Sequence, residues 1–365
     1  MSTDAPPPRV FGIGRTFVGP TFDLLLIGGG LSFPIAAWIA WNGASAAAVI
    51  GLSIPVIALL VNQAHFAAST VRLYTKPGAF QSMPILTMLL PLLTLLVLSG
   101  AVAFAGDVGR QLWALSLTWS PFHYAAQTFG LASMYCYRSG CRLSDVERRC
   151  LRAVCLLPFF KAFLSGAGAG YGLGWLVPAA EIAQVPALLV LYQLTRWFLD
   201  AASLLAPLAL FAWLARRRSS SPSANDPTPQ RRPGMPAVSL LIMLSNAMWF
   251  VFFDYLDAFV WATVFHGVQY LAIVCIFHTQ DQMRAPDNHR SRTYHVLWFY
   301  LVCVALGYGL FNCWPYAYTL AGFGMVESML MVIGVINIHH FVVDAYIWRL
   351  RKDRNYQTVI GTTAG

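Results

Sequence analysis

The sequence predicts an all-α fold: a polytopic bundle of about ten transmembrane helices with both termini in the cytoplasm. Hydrophobic residues make up 58% of the chain and charged residues only 11%, whereas a soluble domain carries roughly 25% charged residues. Apolar runs of about 20 residues, each long enough to cross about 30 Å of hydrocarbon as a helix, recur along nearly the whole chain. Backbone polar groups must be satisfied internally in lipid, so these runs are predicted to be helices rather than open sheet.

Ten apolar segments are the candidate spans, and short polar loops separate most of them. In chain order they cover 22–42, 45–68, 84–106, 111–137, 152–171, 183–215, 237–254, 257–281, 294–313 and 320–348. The start of the chain is polar and proline-rich and lacks the pattern of a cleavable signal peptide, so the first span is predicted to be a retained helix.

Basic residues support this number of spans and set the predicted orientation. They precede the first span and follow every second span thereafter: Arg9, Arg15, Arg72, Lys76, Arg138, Arg142, Arg148, Arg149, Arg216, Arg217, Arg218, Arg231, Arg232, Arg284, Arg290, Arg292, Arg349, Arg351, Lys352 and Arg354. The alternate loops hold almost none, with Arg110 the main exception. Cytoplasmic loops carry an excess of Lys and Arg, so the pattern places both termini in the cytoplasm and predicts an integral protein of a bacterial inner membrane. The net charge of +9 is thus explained without nucleic acid.

A segment rich in Ser and Pro, 219–236, is predicted to be a flexible cytoplasmic linker. It separates a six-span half, 21–218, from a four-span half, 237–348. Cytoplasmic tails are predicted at 1–20 and 349–365. The two halves show no convincing internal repeat, which reduces the support for a transporter built on inverted repeats.

Histidines inside the predicted spans are the main functional signal. Ionisable groups are costly in a membrane, usually face the bundle interior, and are functional candidates by default. Four separate spans each carry a deep histidine: His65, His123, His266 and His340. His278 lies twelve residues after His266, roughly 18 Å along the helix axis, so one ion could not bind both. We predict that His266 is the metal ligand of this span, because polar residues accompany it.

Polar neighbours share helical faces with these histidines. Gln127 follows His123 by four residues, and Asp344 follows His340 by four. At this spacing two side chains of one helix meet, so the carboxylate could bind the same metal as the imidazole or orient it. Gln269 and Tyr270 likewise accompany the histidine of the eighth span.

These features predict a metal centre assembled from side chains of several helices. Whether those helices bring the side chains together depends on how they pack. The predicted ligands are His65, His123, His266, His340 and Asp344. Iron is the favoured metal, with copper or zinc as alternatives, because imidazoles with a carboxylate suit these ions and leave open positions for chemistry on iron. Catalytic roles in orienting ligands or contacting substrate are predicted for Asp344, Gln127 and Gln269. The alternative for any single histidine is a hydrogen-bonded packing residue.

Deep histidines in apolar helices, His65, His123, His266, His339 and His340 with Asp344, resemble the histidine-rich integral membrane oxygenases and hydroxylases. That group includes the fatty-acid desaturases and the bacterial Brp/Blh carotenoid-cleaving enzymes. The desaturase boxes HxxxH and HxxHH are absent here, since His339–His340 is the only adjacent pair. The resemblance to the carotenoid-cleaving enzymes implies iron held by histidines from separate helices and a lipid-soluble substrate. An electron donor is a candidate partner if the reaction is a hydroxylation.

Three other function classes stay open at this stage. An acyltransferase would use one intramembrane histidine and an acyl donor, and would need no metal. A proton-coupled transporter would use the intramembrane histidines, including His339, with Tyr270 and the i,i+4 pair Arg196–Asp200 as a proton path or a site for a substrate carboxylate or phosphate. That pair could equally be an internal ion pair. A haem- or pigment-binding subunit would use His123 and His266 as axial ligands.

Overall fold

The computed structural model describes residues 12–43, 51, 54–76, 78–216 and 233–348. Its described part is helical and contains no strand. The tail 349–365, most of the linker 219–236 and the first eleven residues of the tail 1–20 lie outside the described residues. Helices from both sides of the linker pack against one another, so the two predicted halves meet in one bundle.

Fourteen helices are named here in chain order. They are α1 (Pro20–Ile27), α2 (Ser32–Asn42), α3 (Ile54–Thr75), α4 (Ala79–Ser82), α5 (Ile85–Ala103), α6 (Ala105–Arg138), α7 (Asp145–Ser165), α8 (Leu173–Leu176), α9 (Ala179–Gln184), α10 (Pro186–Arg216), α11 (Ala237–Phe252), α12 (Tyr255–Met283), α13 (Arg292–Leu320) and α14 (Met325–Ile347). A short 3₁₀ turn, Gly166–Ala169, follows α7. Each of the ten predicted spans contains helical residues.

Within the described residues, seven helices are long and apolar enough to cross a membrane, and eight if the pair α1 and α2 forms one span. Large apolar side chains on their outer faces are exposed, for example Leu96 on α5 and Trp197 on α10. The helices therefore indicate an integral membrane protein. The two remaining predicted spans correspond to α6, which is 34 residues long but partly polar, and to α11, which has only 16 residues.

The break between α1 and α2 bends the chain by 50°. Gly29 at the break has φ +72°, and a Cβ there would lie 2.4 Å from Ser245 Oγ of α11, so glycine is required by both conformation and space. The Gln269 side-chain amide of α12 donates to the Ile27 carbonyl at 3.0 Å. This bond satisfies a carbonyl at the point where the helix is interrupted, as a membrane environment demands.

Asp23 fastens the segment before α1 to the bundle. Its buried carboxylate accepts hydrogen bonds from the backbone N–H groups of Phe17, Val18 and Gly19 and from the Tyr135 hydroxyl of α6. Four donors compensate the cost of burying one carboxylate. Nothing in the local sequence pattern predicts this long-range contact.

Arg72 corrects the interpretation of the basic residues. The sequence places it in a cytoplasmic loop after the second span, but it lies within α3 with a side chain only 2% exposed. Its guanidinium donates to Asp281 of α12 at 2.7 Å. The residue therefore joins two helices.

Candidate metal centre

Four helices that contact one another in a ring carry the four deep histidines. α3 supplies His65, α6 supplies His123, α12 supplies His266 and α14 supplies His340. α3 and α6 each contact both α12 and α14. The two histidines before the linker therefore face the two after it, and the structure brings together all four predicted residues.

The imidazole rings form a four-sided arrangement with nearly equal sides. Ring centroids are separated by 5.1 Å for His65–His266, 5.0 Å for His65–His340, 4.9 Å for His123–His266 and 5.0 Å for His123–His340. The diagonal pairs are not in ring contact within the described structure. A planar square with sides of about 5 Å places each centroid about 3.5 Å from its centre, close to the about 3.2 Å expected when an imidazole nitrogen lies about 2.1 Å from a metal ion.

The atoms that could bind a metal form two overlapping groups. One nitrogen from each of His65, His266 and His340 lies within 4.8 Å of the others, and the same holds for His123, His340 and an Asp344 oxygen. His340 belongs to both groups. Asp344 Oδ2 lies 3.5 Å from His340 Nε2 and 3.7 Å from His123 Nε2, so the carboxylate borders the space enclosed by the rings.

Several ring nitrogens are buried without a hydrogen-bond partner among the described residues. They are Nδ1 of His65 and Nε2 of His123, His266 and His340. A buried polar atom left unpaired costs about 1–3 kcal/mol, and one site with four of them calls for an explanation such as a bound ion. Neutral imidazole nitrogens with free lone pairs are suitable metal ligands.

A hydrogen bond to Ser69 sets which nitrogen of His340 is free. The Ser69 hydroxyl donates to the Phe66 carbonyl at 3.1 Å, so its oxygen is left to accept from His340 Nδ1 at 3.0 Å. The proton of the neutral imidazole is then on Nδ1, and Nε2 presents its lone pair to the centre. Partners of this kind fix the tautomer and orientation of metal-binding histidines.

Tyr270 holds the carboxylate of the site. Its hydroxyl donates to Asp344 Oδ1 at 2.5 Å, which leaves Oδ2 directed at the imidazoles. The tyrosine ring is also in contact with His340, with centroids 5.4 Å apart. Tyr270 thus acts as a positioning residue for the Asp344 carboxylate.

The two predicted glutamines both donate to backbone carbonyls. Gln127 donates to the His266 backbone carbonyl at 3.1 Å, which supports the helix carrying that ligand and not the ring itself. Gln269 donates to the Ile27 carbonyl. It also lines a cavity of about 10 Å³ beside His266, together with Asn246 and Trp249, which is enough space for about one water molecule.

Other predicted residues lie outside the ring. His339 is half-buried and belongs to neither of the two ligand groups. His278 bonds through Nδ1 to Thr75 and stacks on Phe299, away from the centre. The expected pair Arg196–Asp200 does not form, because Lys161 of α7 takes the Asp200 carboxylate at 2.5 Å.

Ser69 was not identified from the sequence, nor was the hydrogen bond from Tyr255 to the carbonyl that Pro121 leaves without a helical donor. Ser69 follows His65 by four residues, the same spacing as Gln127, Tyr270 and Asp344 from their histidines, so this repeated spacing was the available signal. Pro121 cannot donate to the Leu117 carbonyl one turn earlier. The Tyr255 hydroxyl of α12 donates to that carbonyl at 3.3 Å and so links α12 to α6 near the site.

Gly267 was also missed, although it adjoins a predicted ligand. A Cβ at this position would lie 3.0 Å from Val61 Cγ1 and 3.3 Å from His65 Nδ1. Glycine therefore lets α12 approach α3 closely enough for His65 and His266 to meet.

The arrangement can hold one metal ion through imidazole nitrogens, with a carboxylate beside it and apolar helices around it. No protein-family model, curated protein or solved structure matches this chain.

Proposed function

We propose that the protein is a membrane-embedded, metal-dependent oxygenase or hydroxylase, with non-haem iron as its metal and a lipid or isoprenoid as its substrate. The observation that carries the proposal is the ring of four imidazoles, about 5 Å apart along each side, contributed by four different helices. Building a site from inward-facing side chains of several helices is common for metals in helical bundles.

The ligand chemistry favours iron among the ions that fit. Imidazoles suit iron, copper and zinc alike, and the adjoining Asp344 carboxylate adds a hard oxygen ligand, a combination typical of iron centres that keep positions open. Bound iron would supply the activation of dioxygen. The residues of this chain would hold it: His65, His123, His266 and His340 as nitrogen ligands, and Asp344 as a ligand or as a partner of the ligands.

One edge of the site is suited to substrate entry. The side chains of His123 and Asp344 are 11% and 8% exposed, whereas that of His340 is fully buried. Phe341 stacks on His123 at 4.3 Å between centroids, so the surroundings of this edge are apolar. A lipid-soluble substrate could reach the centre from the bilayer between α6 and α14 without desolvating polar groups.

We also propose the number of spans and their orientation in the membrane. Ten spans with both termini in the cytoplasm of a bacterial inner membrane agree with the alternation of basic loops. In this orientation Asp344 lies toward the cytoplasmic side of the centre, where a soluble or membrane-bound electron donor would approach.

Metal analysis and absorption spectroscopy on one detergent-purified sample test the function directly. We expect about one iron per chain, no haem band, and iron-dependent uptake of dioxygen when isoprenoid or acyl-lipid candidates are supplied. Stoichiometric zinc without dioxygen uptake would contradict the oxygenase and retain the metal centre. Absence of any stoichiometric transition metal would contradict both.

The haem-binding subunit and the transporter have less support. Two axial imidazoles of one haem lie on opposite faces of the macrocycle, with centroids roughly 6 Å apart. The ring centroids of His123 and His266 are only 4.9 Å apart, and their ring planes are 73° apart in an edge-to-face contact, so this pair does not fit two axial ligands of one haem. A proton path through Arg196–Asp200 loses its main argument, because the pair does not form.

Replacing Tyr270 with phenylalanine is expected to weaken metal binding by about 10- to 100-fold, the usual effect of removing a partner of a ligand. The ring packing is retained, but Asp344 loses the hydroxyl that orients it. Competition with a chelator measures the change. Tyr124→Phe is the matched control, since this buried tyrosine also contacts His266 but bonds to Thr263. Equal loss of affinity in both variants would contradict the role of Tyr270.

A further inference from the structure

A second polar cavity lies at one end of the bundle, between α7, α10 and the turn joining α11 to α12. Its volume is about 470 Å³. Its lining includes Lys161, Ser165, Arg196, Asp200, Asp254 and Asp257. Asp257 lies nine residues before His266 on α12, about 14 Å along the axis, so the cavity is separate from the candidate metal centre.

The inner wall contains a closed ion pair. Lys161 is only 4% exposed, and its ammonium contacts both Asp200 oxygens, at 2.5 and 2.6 Å. A charge this deep in an apolar bundle is tolerated when it is paired. The charge of Lys161 is therefore neutralised within the protein, and this pair does not require a ligand of opposite charge.

Arg196 differs, because no carboxylate among the described residues forms an ion pair with it. Its guanidinium lies 5.6 Å from the Tyr192 ring centroid, and its Nε is buried without a hydrogen-bond partner in the described structure. The nearby Ser165 hydroxyl is likewise buried and unpaired. Both residues line the cavity, and each has a donor without an acceptor among the described residues; an anionic ligand would supply an acceptor for Arg196 and Ser165.

Two acidic residues complete the cavity. Asp254 and Asp257 are exposed, and no cation within the described chain forms an ion pair with either. The cavity thus has a basic donor group inside, at Arg196, and negative charge at its rim. A ligand matched to both ends would carry an anion and a cation a few bonds apart.

The surroundings of the cavity are those of a lipid-facing surface. Trp197 and Phe198 beside Arg196 are 68% and 67% exposed, and Phe252 of the cavity lining is 67% exposed. In the topology predicted from the loop charges, this end lies at the non-cytoplasmic interface. Aromatic side chains are common at the level of lipid headgroups.

We propose that this cavity binds a phosphate ester that carries an ammonium group, the chemistry of an aminophospholipid headgroup or of a soluble phosphoamine. The phosphate accepts from Arg196 and Ser165, since the guanidinium fork matches phosphate oxygens. The ammonium lies at the rim with Asp254 and Asp257. This site is independent of the metal chemistry.

Titration of lipid into detergent-purified protein, followed by native mass spectrometry, tests the site. The lipid probes are phosphatidylethanolamine, which has phosphate and ammonium, and phosphatidylglycerol, which has only the phosphate; phosphoethanolamine is the soluble arm. We expect one saturable site that prefers phosphatidylethanolamine. Competition by phosphoethanolamine at equal concentration would identify the soluble source, and failure to compete would identify the lipid.

Arg196→Gln is expected to weaken this binding about tenfold, the loss of one charge-assisted contact. Arg196→Lys keeps the charge and should retain part of the affinity. Arg152→Gln, an exposed arginine on α7, is the matched control and should bind as the unmodified protein does. Asp254→Asn with Asp257→Asn should remove the preference over phosphatidylglycerol. No saturable binding, or equal affinity in Arg196→Gln and Arg152→Gln variants with unchanged thermal unfolding, would overturn the proposal.

Discussion

Replacing His340 with alanine is expected to abolish stoichiometric metal binding and all metal-dependent activity. His340 is the residue shared by both groups of candidate ligands, and it is fully buried at the centre of four contacting helices. Loss of a direct ligand should reduce affinity by more than about 100-fold, beyond the effect of losing a partner of a ligand. Metal content by mass spectrometry and dioxygen uptake on the same sample measure both consequences.

His339→Ala provides a control on the adjacent residue. His339 is half-buried and lies outside both ligand groups, so its removal should leave metal content unchanged. His340→Gln preserves more of the side-chain volume than alanine does, which limits the cavity left in the bundle. Retention of metal in His340→Ala, or equal loss in His339→Ala with normal thermal unfolding, would contradict the assignment of the site.

The depth of the four histidines could be predicted from the sequence, but their convergence could not. The depth of each residue follows from the span boundaries and the helical rise, and the repeated i,i+4 polar neighbours mark the inward face of each helix. Helix order around a bundle does not follow from either. The pairing of α3 and α6 with α12 and α14 had to be seen in the structure, since it depends on packing across the whole chain.

Charged residues show where local spacing misleads. Arg196 and Asp200 are one turn apart and so predict a pair, but Lys161 on another helix approaches the carboxylate more closely. Arg72 reads as a topology signal at a span end, whereas its partner is 209 residues away in sequence. Long side chains at helix ends can reach neighbouring helices, and such partners are invisible to a pattern confined to one helix.

Asp281→Ala is expected to destabilise the fold by about 3–5 kcal/mol, because it leaves a buried charge without its carboxylate. Both members of the pair are 2% exposed, and they join α3, which carries His65, to α12, which carries His266. The free energy of unfolding in mixed detergent micelles measures the loss. We expect weaker metal binding as well. α3 and α12 carry two of the four histidines, and they would no longer be fastened to each other at this end.

Asp145→Ala is the matched control for burial. Asp145 also pairs with an arginine, Arg148, but its side chain is 85% exposed, and such surface pairs contribute at most about 1 kcal/mol. Replacing both members of the buried pair, as Arg72→Met with Asp281→Leu, should recover much of the stability, because neither buried charge then remains. If Asp281→Ala costs no more than Asp145→Ala, the pair is not what fastens α3 to α12, and the other contacts between these helices must hold the ring of histidines.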